Sequence, residues 1–274
     1  MNGGSIPEGR SKTARPSLHP VPAARPLNLP FTPAERRIVD TLRTPTAVQA
    51  WLNALPYNTE KGGGTQRSFR GVVRHGMAHC MEAAISAAVI LEQRGYPPLV
   101  MSLESIDQLD HVIFIYRGPR GWGSVARSRD PGLHGRKPVF RRARDLALSY
   151  VDEYIDLSGG IRGYGVADLR DLMGSYDWRL SPRNLWAVEQ ALIDLPHRAI
   201  RSDQARLDRL RRKYRAYVEA HDGRKPVYYD RSRWTPIPPT FGAASGTDRP
   251  PRLLAARPAP PAQGRGSRGG RGRA

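Results

Sequence analysis

One cysteine and one histidine carry the chemistry this chain can offer. Cys80 is the sole thiol among 274 residues. It heads an apolar run, His79-Cys80-Met81-Glu82-Ala83-Ala84-Ile85-Ser86-Ala87-Ala88-Val89-Ile90-Leu91, whose pattern predicts a helix. At a helix start the unpaired N–H groups and the dipole favour the thiolate and lower the thiol pKa. Those N–H groups can also donate to an oxyanion forming beside the sulfur. His111 lies 31 positions further on, at the head of a second apolar run, Val112-Ile113-Phe114-Ile115-Tyr116. A histidine placed there can take the thiol proton and return it to a leaving group. A third group, acidic or amide, is then needed to hold the imidazole tautomer, and it is expected soon after Trp122. The competing reading is bland: a lone cysteine near an alanine-rich helix is often a small buried hydrophobe.

The elements that must position these residues can be read around them. Arg94-Gly95 marks the end of the Cys80 helix. After Pro97-Pro98 a strand is expected over 99–103, then a polar turn over 107–110. Arg117-Gly118-Pro119-Arg120-Gly121 has hairpin chemistry and joins a strand at 110–116 to one at 122–126. If Tyr116 pairs with Trp122, Arg127 falls opposite His111; a one-residue shift puts Ser128 there. Upstream, Thr32-Pro33 and Thr44-Pro45 each open a helix, and Pro56 closes the second. Residues 69–76 lead into the Cys80 helix, with Ala84, Ile85, Ala88 and Leu91 as its buried stripe. Downstream the chain reads as helical over 143–154 and 166–173, then from Ser181-Pro182 and from Ser202, with a loop over 156–165. Gly62-Gly63-Gly64 is not followed by Lys-Ser/Thr, so it does not read as a phosphate-binding loop. No two histidines or acids share a helix face at ligand spacing, so no metal site and no cofactor is expected.

Four segments together resemble the transglutaminase-like superfamily. They are Ala78-His79-Cys80-Met81-Glu82-Ala83-Ala84, Arg94-Gly95-Tyr96-Pro97-Pro98, Asp110-His111-Val112 and Gly121-Trp122-Gly123. The likeness covers about residues 45–155 and weakens onward to about 195. It implies an α+β fold with a papain-like core, in which a nucleophile helix packs on a small antiparallel sheet. It also implies a cysteine-histidine-acid triad acting on an amide, isopeptide or peptide bond of a protein or peptide substrate, by hydrolysis or transfer. Cys80 and His111 match the family positions. For the third, the family's Asp-Pro after a tryptophan points to Asp130-Pro131, which stands unusually far from Trp122. Asp130 is taken first and Ser128 second. The resemblance further suggests an upstream oxyanion donor, Tyr57 or Asn58. The alternative is a catalytically silent module of the same architecture, used for binding.

Charge separates the ends from the middle. The formal net charge is +19, of which residues 1–30 carry +3 and residues 243–274 carry +6. Neither end has apolar periodicity, so both are expected to be disordered tails around one domain over 31–242 with a helical C-terminal part. Arg265, Arg268, Arg271 and Arg273 sit in a Gly-Arg-rich run that suits weak, salt-sensitive contact with RNA or DNA, though it lacks interleaved aromatics. A single cysteine excludes an internal disulfide and fits a reducing compartment. Residues 1–30 show no apolar signal core, and the apolar run at 83–91 is too short to span a bilayer. A cytoplasmic protein without membrane contact is the expectation; the oligomeric state is left open.

Overall fold

The computed structural model describes residues 27–201 and 203–226, with two short backbone strands at 229–230 and 235–236. The two expected tails therefore fall almost wholly outside the described residues, as do the four C-terminal arginines named above. Leu29 already packs on the core, so the packed chain begins just ahead of Phe31.

Threonine caps set the first two helices. Thr32 accepts the Glu35 N–H, and Pro33 occupies the first turn of α1 (Pro33–Thr41). Thr44 caps α2 (Pro45–Ala54) through the Ala47 N–H. Glu35 turns inward and pairs with Arg70 of α3 (Phe69–His75) at 2.7 Å. Gly76, at φ 66°, ends α3 in the left-handed region, so the Cys80 helix starts afresh as α4 (Cys80–Glu92). Met81 to Glu92 are all buried and Cys80 alone is half-buried. The expected stripe understates this helix, which is enclosed on every side, and its alanines let neighbours approach closely.

One antiparallel sheet accounts for the middle of the chain. Its strands are β1 (Leu99–Ser105), β2 (His111–Gly118), β3 (Gly121–Val125), β4 (Ile161–Asp168) and β5 (Arg198–Ala199), in the order β3-β2-β1-β4-β5. Period-two alternation divides two cores between its faces. Val100, Val112, Phe114 and Tyr116 join the cluster that contains α4. Met101, Leu103, Ile113 and Ile115 join Leu146, Ala147 and Tyr150 of α5 (Ala143–Val151). The fold is α+β, with helices on both faces of the sheet.

Three expectations are corrected. The region read as a loop and then a helix is strand β4 followed by the short helix α6 (Leu169–Met173). Gly163 and Gly165 made it look like a loop. They are there for close approach: a Cβ at Gly163 would meet Glu104 Oε2 at 2.7 Å, and one at Gly165 would meet Leu195 Cδ2 at 2.7 Å. The helix expected from Ser181-Pro182 starts later, as α7 (Trp186–Ile193). The last, α8 (Gln204–Ala220), is capped by Asp203 and buries Leu207 and Tyr214 against the domain. Strands β6 (Tyr229–Asp230) and β7 (Thr235–Pro236) pair with each other. No helix among the described residues is long and apolar enough to cross a membrane.

The hairpin register is the shifted one. Arg117 pairs with Trp122 and Tyr116 with Gly123, one residue away from the simplest pairing. Extended, this register would set Ser128 opposite His111. Pairing stops at Val125, however, and the chain leaves the sheet.

Candidate active site

His79 caps α4 with its side chain, a role given more often to Ser, Thr, Asp or Asn. Its Nδ1 accepts the Met81 N–H at 3.2 Å and its Nε2 donates to the Thr65 carbonyl at 2.7 Å. The reciprocal half of the box comes from Glu82, which accepts the His79 N–H at 3.0 Å. Glu82 is fully buried and accepts four further bonds, two from the Asn58 amide and one each from Thr65 Oγ1 and the Arg67 N–H. The carboxylate thus ties the 58–67 loop to the helix start. Beside it, Asn58 N donates to Ala78 O and Ala78 N donates to Pro56 O, which straps Tyr57 alongside the residues entering α4. The Cys80 N–H has no acceptor among the described residues, as a first-turn amide should not.

His111 opens β2 and is buried. Its Nε2 lies 2.9 Å from the Leu133 carbonyl oxygen, and its ring lies 5.9 Å from that of Tyr150. A carbonyl can only accept, so Nε2 carries the proton and Nδ1 keeps its lone pair. Leu133 ends a single 3-10 turn, Pro131–Leu133, that folds back after β3. This turn is braced from behind. The fully buried Arg136 donates to Gly132 O at 2.6 Å and His134 O at 2.7 Å, with its guanidinium 4.1 Å from the Tyr150 ring centre. His134 Nε2 meets Ser128 O at 2.9 Å.

The thiol senses both histidines. Burial alone would push the Cys80 thiol up; hydrogen bonding to His111, then to His79, and the charges of both rings bring it down to about 5. His79 is moved the other way: burial lowers it, while the Cys80 thiolate and Glu82 raise it to about 9. Protonating His79 at Nδ1 would break its cap on Met81, so the Met81 N–H and a proton compete for that nitrogen. His111, whose Nδ1 has no partner other than the thiol, is the better proton partner.

Cys80 and His111 line one cavity of about 420 Å³ together with Tyr57, Ser128 and Asp130. The structure places the residues singled out above unequally. Asp130 turns to Lys225, with its Oδ2 2.8 Å from Nζ, and takes no hydrogen bond from His111. Ser128 Oγ accepts the Asp130 N–H. The acceptor behind His111 is therefore a backbone oxygen, because the fold-back turn brings Leu133 O to the ring ahead of either side chain. Asn58 spends its amide on Glu82 and Thr65. Tyr57 lines the cavity, and burial and the nearby thiolate hold its hydroxyl protonated. A backbone acceptor leaves no residue-type signal, so sequence reading had no means of finding Leu133. Its one trace is the Pro-Gly turn preceding it. Among the described residues no cluster of His, Cys, Asp or Glu is suited to a metal ion.

No protein-family model and no curated protein sequence matches the chain. Among solved structures, "Legionella pneumophila LapG (EGTA-treated)" superposes with a TM-score of 0.27 at 18% identity, over 34% of this chain and 57% of that one. The matched region thus spans little more than half the length of LapG. A likeness of that size carries no argument about fold or activity.

Proposed function

We propose that this chain is a thiol-dependent acyl hydrolase or acyl transferase of the transglutaminase-like type. What supports the reading is a thiol at a helix start that shares a cavity with, and is lowered by, a histidine whose far nitrogen is anchored. In the proposed reaction the Cys80 thiolate attacks an amide carbonyl carbon and forms a C–S bond. The Cys80 N–H and the Tyr57 hydroxyl donate to the resulting oxyanion. The proton taken from the thiol by His111 Nδ1 passes to the leaving amine as the C–N bond breaks. The thioester is then attacked by water or a second amine, whose proton returns to His111, and the thiolate leaves. Throughout, Leu133 O holds Nε2–H. It fixes the tautomer as a carboxylate would, but as a neutral dipole it stabilises the imidazolium less.

That neutral acceptor is also the one observation favouring the second reading, a silent module used for binding. Iodoacetamide labelling of Cys80 across pH separates the two. The expected rate reaches half its plateau near pH 5, where the thiol titrates, and falls about tenfold per unit below it. His111→Ala should move the midpoint up. If parent and variant both titrate near the reference value of about 8.5, there is no activated thiol.

A further inference from the structure

The chain is strongly basic, with 44 Lys and Arg against 25 Asp and Glu, yet the Cys80 cavity is walled by acids. Glu60, Asp107, Asp110, Asp156 and Glu189 all line it, and none pairs with a lysine or arginine among the described residues. Their hydrogen bonds come only from neutral donors. Asp107 accepts from Ser105 Oγ, Ser158 Oγ and the Leu109 N–H, Asp110 from the Ser105 N–H, and Asp156 from the Ser158 and Gly159 N–H groups. Glu60 accepts from the Thr65 N–H and Glu189 from the Gln66 amide. All but Glu60 are half-buried, where a missing counter-charge weighs more than at an open surface.

The acids come from separate segments of the wall: Glu60 from the 58–67 loop, Asp107 and Asp110 from the turn between β1 and β2, Asp156 from the loop after α5 and Glu189 from α7. Tyr154 feels Asp107, Cys80 and Asp110 together, and Glu189 feels His79, Glu60 and Cys80. Beyond the two histidines beside the thiol, two cations share the cavity, and they do not cancel this field. Lys225 is committed to Asp130, and Arg129 is exposed. A surplus of arginines elsewhere leaves no shortage of partners, so the gap at this wall is specific to it.

We infer that the site takes a peptide substrate carrying a lysine or arginine side chain next to the bond it acts on. This rests on the thiol reading above and adds the substrate class. A cationic side chain would supply the counter-charge that four half-buried carboxylates lack, and the field would draw cationic peptides in and hold anionic ones off.

The test uses three acyloxymethyl ketones, of blocked lysine, its uncharged isostere norleucine, and glutamate, with Cys80 adducts counted by mass spectrometry. In each, the thiolate forms a C–S bond to the methylene carbon, the C–O bond breaks and the acyloxy group leaves as a carboxylate. Rates are divided by the same protein's iodoacetamide rate, which removes thiol reactivity from the comparison. At low salt the lysine probe should outpace norleucine by about tenfold and glutamate by about a hundredfold. Salt should shrink the lysine advantage, because screening weakens the field. The isosteric pair Asp107→Asn and Asp156→Asn should cut it several-fold; both keep an oxygen for their N–H donors. Equal rates for the three probes, with fast iodoacetamide labelling at acid pH, would overturn the charge preference and leave the thiol reading standing. Slow iodoacetamide labelling would remove both. A lysine advantage indifferent to salt in the parent protein also overturns it, even where the variants fail to fold.

Discussion

Replacing Gly132 by alanine tests whether the Leu133 carbonyl holds His111. Gly132 is buried in the fold-back turn, one residue before Leu133. A Cβ there would run into the Glu153 carboxylate, whose carbon would lie 2.6 Å away. The methyl meets only the far end of one side chain, so this overpacking costs at the low end of the usual range, about 1 kcal/mol. For a domain of this size that corresponds to a Tm lower by about 2–4 °C. The turn can relieve the clash by moving outward, which stretches the 2.9 Å contact between Leu133 O and His111 Nε2. A neutral hydrogen bond contributes about 0.5–1.5 kcal/mol net, equivalent to about one pH unit in the thiolate-imidazolium pair it supports. The Cys80 labelling midpoint should therefore rise from about 5 toward 6. Adding Glu153→Ala to Gly132→Ala makes room for the methyl and should bring the midpoint back, whatever it costs in stability. A midpoint that stays put while Tm falls would show that the turn does not set the chemistry of His111.

Two other perturbations follow from the same contacts. Asp130→Asn and Lys225→Ala break a part-exposed pair worth at most about 1 kcal/mol, and neither should move the Cys80 titration, since His111 leans on a backbone oxygen. A midpoint that rises sharply in Asp130→Asn would reinstate that aspartate as the third member of the site. Glu82→Gln turns a donor toward the amides it now accepts from, weakens charge-assisted bonds and should cost about 3 kcal/mol. Thermal melting should then fall by about 6–12 °C. A loss under about 2 °C would mean that the loop is held by something other than this carboxylate.

Local chemistry and tertiary geometry divide this protein cleanly. Thr32, Thr44 and Pro56 mark helix ends because capping and proline act over three or four residues of contiguous chain. Cys80 at a helix start and His111 at a strand start are legible for the same reason: each needs only its own neighbours. Their meeting, and what stands behind the histidine, depends on long-range pairing. Strand β4 was hidden by two glycines whose use appears only once Glu104 and Leu195 are packed against them. The hairpin register follows its two-residue turn, in which Gly118 pairs with Gly121 across Pro119-Arg120; Phe140 and Arg136 run along the other edge of β3, a neighbour with no local signature. The turn after β3 then puts Leu133 O, and not the Asp130 carboxylate, on His111. Side-chain identity is written in sequence, whereas the acceptor is a backbone atom common to every residue, and only the fold selects which one arrives.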